Sequence, residues 1–244
     1  MVLSIALALA LALLLTGHFL SQLADKRHQQ HLNELQAALL QRSIDLLQSL
    51  QKHRGLGAQQ DLPSTSQRNT LARQLDQLWL NWPGPSLGLA SLQQDWPRLR
   101  RNPADFAAHC QVIDGLLAVI ATLEARLYQA GNQHLEGIAQ ACHGLENLAR
   151  LRGLSVRAAN YSQCPPNLKQ QIQQLCQELE QSPVGTSLQQ VLQRLEHELI
   201  DSRVIRLAPH ECFALLTPLI DEYAQHLRAP LRATFATQAP AQQP

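Results

Sequence analysis

Aromatic residues make up only 4% of this 244-residue chain, and β-branched residues are sparse. Strands draw heavily on both, so the composition argues against a sheet-based fold. Neither sign of charge prevails. The formal net charge is +1, without the basic stripe that marks a nucleic-acid binder. Cysteine is scarce and unpatterned: Cys110, Cys142, Cys164, Cys176 and Cys212 are odd in number, and no pair has CxxC spacing. That argues against a disulfide framework and fits a reducing compartment. His109-Cys110, Cys142-His143 and His210-x-Cys212 match no zinc spacing, so no metal is expected. No Walker loop, Ser/His/Asp order or catalytic carboxylate pair stands out. Glu178 and Glu180, like Glu196 and Glu198, sit two apart and point to different helix faces. An enzyme is not expected, and no cofactor is implied.

What is abundant is Leu, Ala and Gln, which favour helix. The expected fold class is all-α. Val2 to Leu20 is almost wholly apolar, broken by Ser4, Thr16, Gly17 and His18. As a helix it reaches roughly 28 Å, close to the hydrocarbon thickness of a bilayer. No Lys or Arg precedes the run and no A-x-A site follows it, so an uncleaved anchor is favoured over a signal peptide. Lys26 and Arg27 follow the run, which places the remainder in the cytoplasm. The expectation is a single-pass protein of the inner (plasma) membrane. Residues 1–21 are its anchor, 22–229 a helical bundle and 230–244 a disordered tail.

Leu32, Leu35, Leu39, Leu46 and Leu50 predict one long helix over 22–60. Further helices are predicted over 66–80, from Asn102-Pro103 to Gln129, over 133–161, 167–181 and 187–205, and from Ala208-Pro209 onward. A short helix or irregular segment disturbed by Pro97 fills 86–100. Asp61 to Ser66, Asn81 to Pro85, Cys164 to Asn167 and Ser182 to Thr186 are the breaks.

One short motif occurs twice. It reads Leu47-x-x-Leu50-x-x-His53-Arg54-Gly55-Leu56-Gly57, then Leu145-x-x-Leu148-x-x-Leu151-Arg152-Gly153-Leu154-Ser155. Glycine inside a helix costs about 1 kcal/mol against Ala. Its recurrence beside an arginine points to close backbone approach, a kink or a ligand. Each copy is followed by a break and a Leu-rich amphipathic helix, so the chain reads as a duplicated helix hairpin forming antiparallel bundles.

These residues resemble the nitrate- and nitrite-sensing (NIT) domain family of bacterial signalling proteins. The likeness rests on Leu50 to Gly57 and Glu146 to Ser155. His109-x-x-Val112-Ile113-x-x-Leu116-Leu117-x-x-Ile120 and Phe213-x-x-x-Thr217-x-x-Ile220-Asp221 support it, and it spans roughly residues 35–225. His53 stands where the family commonly has Glu, and Gly57 where it has Ser. The resemblance implies an all-helical sensor of two stacked bundles, with arginines near their interface touching a small oxyanion.

An arginine fork matches a planar oxyanion with two parallel N–H donors, and two forks from look-alike halves would hold it between them. The candidate ligand-binding set is Arg54, Gly55, Arg152, Gly153 and Ser155. A lone Arg-Gly on a helix is ordinarily a solvated arginine beside a packing glycine; the repetition weakens that reading. Arg150 and Arg157 are expected to be solvated or paired with acids. The expected partners are the membrane, a small anion and a signalling protein that receives the output, with a homodimer possible and no nucleic acid. The alternative is a non-catalytic helical adaptor or structural membrane protein without a ligand.

Overall fold

The computed structural model describes residues 2–57, 59, 61–80, 82, 89, 91–181 and 186–238, and the side chains among them outside 2–13 and 229–238. The expected breaks at Asn81 to Pro85 and Ser182 to Thr186 lie largely outside the described residues, as does the tail from 239. All regular structure among the described residues is helical.

The first helix, α1, runs unbroken from Val2 to Gly57. Its surroundings change along its length. Leu14, Leu15, Phe19, Leu20 and Leu23 are exposed, and full burial begins only at Ala37. The stretch 14–31 is exposed throughout and projects from the bundle by roughly 27 Å. Beyond it Leu39, Leu40, Ile44, Leu46, Leu47 and Leu50 are buried, a stripe wide enough to face several neighbours.

Helix α2, Leu62–Leu80, folds back on α1 and buries Leu71, Ala72, Leu75 and Trp79. It starts four residues before the expected 66, because Asp61 supplies the cap: its Oδ1 accepts from the Ser64 N–H at 2.8 Å. Helix α3, Trp96–Arg101, carries Pro97 in its first turn. There the missing N–H costs nothing, so Pro97 starts a helix rather than disturbing one. Helix α4, Phe106–Gln129, is capped by Asp105 and ends where expected. It is also long and apolar enough to cross a membrane, but half of its most apolar window is buried in the protein, as suits a core helix.

Helix α5, Ile138–Ala158, carries the second motif copy. Helix α6, Pro166–Glu180, matches its expected span. Helix α7, Thr186–Leu195, passes into a π-helical turn over Glu196–Ile200, five residues short of the expected 205. Helix α8, Pro209–Gln238, crosses both Pro218 and Pro230. The disordered tail expected from 230 is therefore corrected: residues 230–238 are helical. Leu231, Arg232 and Ala233 are strong helix formers, and one proline removes only one rung of the ladder.

The core packs α1 on α4 and α5 on α8, with α1 and α4 also touching α5. Gly57 meets Pro103 while Arg54 meets Cys110, so α4 runs opposite to α1. Because α4 is also antiparallel to α5, α1 and α5 run in the same direction. Phe213 meets Gly55 and Arg228 meets Asp45, so α8 runs the opposite way. Arg150 meets Asp114 and Ala139 meets Glu124, so α4 is antiparallel to α5. The result is an antiparallel helical bundle, with α2 laid on α1 and α6 on α5.

Candidate functional site

Both motif copies face inward at the same level of the bundle. Arg54 and Arg152 are 2% exposed each. A guanidinium this deep requires partners for its charge and its five N–H groups, and the two arginines find different ones.

Arg54 is neutralised. Its Nη1 donates to Glu146 Oε1 at 2.6 Å and its Nη2 to Oε2 at 3.0 Å, a two-pronged pair of the strong kind. Cys110 Sγ accepts from Nη1 at 3.3 Å. Burial alone would depress the Arg54 pKa, but the charge and hydrogen bonds of Glu146 outweigh it and the pKa is raised. Glu146 also accepts from Gln51 Nε2 at 3.0 Å and from Arg150 Nε at 3.2 Å. Arg150 reaches on to Asp114, so it is acid-paired as expected. Arg157 instead donates to the Ala104 carbonyl at 3.3 Å.

Arg152 is not neutralised. Its Nη1 donates to Thr217 Oγ1 at 3.1 Å and its Nη2 to the Gln51 carbonyl at 3.4 Å. Both acceptors are uncharged, and no carboxylate lies within ion-pair distance of it among the described residues. Burial, and secondly the nearby Arg54 charge, lower its pKa to about 10. At neutral pH it is still a cation.

The aromatic residues tie the two motif copies together. Only four phenylalanines exist in the chain, and two of them lie on these arginines. Phe106 lies 5.0 Å from the Arg54 guanidinium carbon, and Phe213 lies 4.5 Å from that of Arg152, within cation–π range. The same rings rest on the glycines of the opposite copy. A Cβ on Gly153 would sit 2.6 Å from Phe106 Cε2, and one on Gly55 would sit 3.2 Å from Phe213 Cε2 and 3.3 Å from Arg152 Nε. The glycines therefore admit a ring and a guanidinium rather than a ligand.

A pocket of about 310 Å³ opens beside Arg152 between α1, α2 and α8. Arg152 and Thr217 line its inner part, with Gln51, Lys52, Asp221 and Arg228 among the residues around it. Of the five expected ligand residues only Arg152 lines this pocket. Arg54 lies behind it, held by Glu146. Gly55 and Gly153 lie under aromatic rings. Ser155 is fully buried and its Oγ has no hydrogen-bond partner among the described residues.

A second pocket, of about 220 Å³, is lined by His53, Arg68, Arg73 and Arg100. None of its arginines is buried: Arg100 pairs with Asp76 at 2.9 Å, Arg68 donates to the Leu56 and Gln59 carbonyls, and Arg73 donates to Thr70 Oγ1 at 3.3 Å. His53 itself is buried, with Nδ1 2.9 Å from His109 Nε2. His109 Nδ1 lies 2.7 Å from the Asp105 carbonyl, which only accepts. His109 therefore donates through Nδ1, and His53 donates from Nδ1 to the Nε2 lone pair of His109. Burial, then the charges of His109 and Arg68, push the His53 pKa down to about 3.

Sequence reasoning missed Glu146, the histidine pair and the two phenylalanines. The scarcity of Phe was the available signal. The five cysteines are all free. Fold and site thus define an all-α helical bundle with one neutralised and one unneutralised buried arginine. No family, curated protein or solved structure matches the chain.

Proposed function

We propose that this protein is a non-catalytic, membrane-anchored sensor domain that binds a small oxyanion, such as nitrate or nitrite, on Arg152. One observation carries the reading: a buried cation without a carboxylate partner lines a pocket large enough for a small molecule. Thr217 and the Gln51 carbonyl orient the guanidinium. The shared site expected between Arg54 and Arg152 becomes an asymmetric one. Arg54, charge-balanced by Glu146, is not among the residues that line the pocket.

The pocket lies between α1 and α8, which pass each other in opposite directions. An anion that favours one spacing of these helices would bias their packing, and the projecting part of α1 would carry the shift. Apolar residues exposed on that projection support the anchor, with the bundle on the cytoplasmic side. The crossed contacts of Phe106 and Phe213 support a duplication of the motif-bearing halves. The output would pass to a separate signalling protein, with a homodimer as the simplest assembly.

The rival reading is a helical adaptor with no ligand. Thermal unfolding of the full chain in sodium nitrate against sodium chloride separates the two. Nitrate at a hundredfold excess over its Kd should stabilise the protein by about 2.7 kcal/mol, and Arg152→Gln should remove that gain. No stabilisation at millimolar nitrate supports the adaptor.

A further inference from the structure

The pocket holds more than a place for negative charge. Its volume, about 310 Å³, equals the liquid share of about ten water molecules, whereas nitrate has four non-hydrogen atoms. Its polar groups are also of both kinds. On the donor side stand Arg152, Lys52 and Gln48, whose buried Nε2 has no partner among the described residues. On the acceptor side stand Asp221 and Gln51, whose buried Oε1 has none either. A bare oxyanion has no hydrogen to give, so it would leave the buried Gln51 Oε1 unanswered, and buried polar groups are rarely left so.

The two carboxylates of the pocket differ. Asp45 is committed, receiving Arg228 Nη2 at 3.1 Å and Gln41 Nε2 at 3.3 Å. Asp221 is exposed and has no ion pair or hydrogen bond among the described residues. It lies one helical turn along α8 from Thr217, the residue that receives Arg152. Side chains four apart on a helix stand about 5–6 Å apart at Cβ. Thr217, which holds Arg152, and Asp221 therefore stand about one turn apart on the α8 wall, with the exposed Lys52 on the α1 wall. Leu71, Ile220 and Ala224 supply apolar lining between the polar groups.

We infer that the ligand is an amino-acid-like zwitterion, its carboxylate on Arg152, which Thr217 holds in place, and its ammonium at Asp221. This rests on the pocket being a ligand site, as proposed above, and narrows the oxyanion to a carboxylate that carries an amine. Arg152 answers the carboxylate with a charge-assisted hydrogen bond. Asp221 answers the ammonium near solvent, where selection comes from pairing both charges at once. The remaining volume receives the side chain.

Calorimetric titration of the full-length protein tests this, with L-alanine, L-glutamine, propionate, ethylammonium and nitrate as separate probes. Propionate is alanine without its amine, and ethylammonium is alanine without its carboxylate. The expected result is that at least one amino acid binds ten-fold or more tightly than propionate, ethylammonium and nitrate. Asp221→Asn should erase that margin, and Arg152→Lys should weaken amino acid and propionate alike. If nitrate or propionate binds as well as either amino acid, the zwitterion is wrong and the oxyanion reading stands. Amino-acid binding that Asp221→Asn leaves unchanged overturns the role of the mouth carboxylate. If no probe binds, both readings fall.

Discussion

Arg54 and Glu146 close a two-pronged ion pair, 2.6 and 3.0 Å, between helices whose contacting residues lie 92 positions apart in the chain. Both side chains are almost fully buried. Removing one partner of such a pair leaves a charge without an answer in a dry interior. Glu146→Gln should therefore destabilise the fold by about 3–5 kcal/mol, as denaturant unfolding would measure. Arg54→Leu with Glu146→Leu should cost less than either single change, because no lone charge remains. Equal costs for the double and single variants would contradict the pairing.

The motif glycines make a graded series. An added Cβ at Gly57 would stand 1.9 Å from the Pro103 carbonyl oxygen, a backbone atom that cannot turn away. At Gly153 it would meet a Phe106 ring atom at 2.6 Å, and at Gly55 nothing nearer than 3.2 Å. Alanine regains up to about 1 kcal/mol of helix propensity at each position, against an overpacking cost of about 1–3 kcal/mol. Melting temperatures should fall in the order Gly57→Ala most, Gly153→Ala next and Gly55→Ala least. A reversed order would contradict the close approaches.

The histidine pair predicts a pH slope. His53 is neutral in the fold with a pKa of about 3, against 6.5 for an unperturbed histidine. Burial lowers His109 as well. Above pH 6.5 both states carry neutral rings and the pair adds no slope. As pH falls below 6.5 the unfolded chain takes up protons that the fold refuses, so stability is lost progressively towards pH 3. The slope from His53 alone is about 1.4 kcal/mol per pH unit. Chemical unfolding between pH 7 and pH 4.5 measures it, and His53→Gln should flatten it. A curve unchanged by that substitution would contradict the neutral pair.

Much of the bundle was legible because leucines at three- and four-residue spacing fix a helix whatever it packs against. The spans of α4 and α6 illustrate this, as does the long run of α1. Ends were less legible, because caps depend on which polar side chain turns back. Asp105 rather than Asn102 caps α4, and Asp61 caps α2. At the site, the Arg-Gly repetition marked the right level of the bundle. It did not reveal that the two arginines differ, because Glu146 sits on the same helix as Arg152 and pairs with the other one. Nor did spacing disclose the crossing of Phe106 and Phe213 to opposite glycines, which arises only when the helices meet.

The exposed stretch of α1 bears on the proposed anchor. Deleting residues 2–23 should move the protein from the membrane pellet to the soluble fraction of a cell lysate. The remaining bundle should keep its unfolding midpoint, since full burial starts only at Ala37. A deleted protein that still sediments with membranes would contradict the anchor.

The account turns on the inequality of the two buried arginines, and the arginine Nε–H signals in a ¹⁵N–¹H NMR titration observe it directly. Arg152→Lys and Arg54→Lys assign the two signals. On titration with nitrate and, separately, with L-alanine, the Arg152 signal should shift with saturation by the probe that binds while the Arg54 signal stays in place. Movement of both signals together, or of neither, would contradict an anion site built on Arg152.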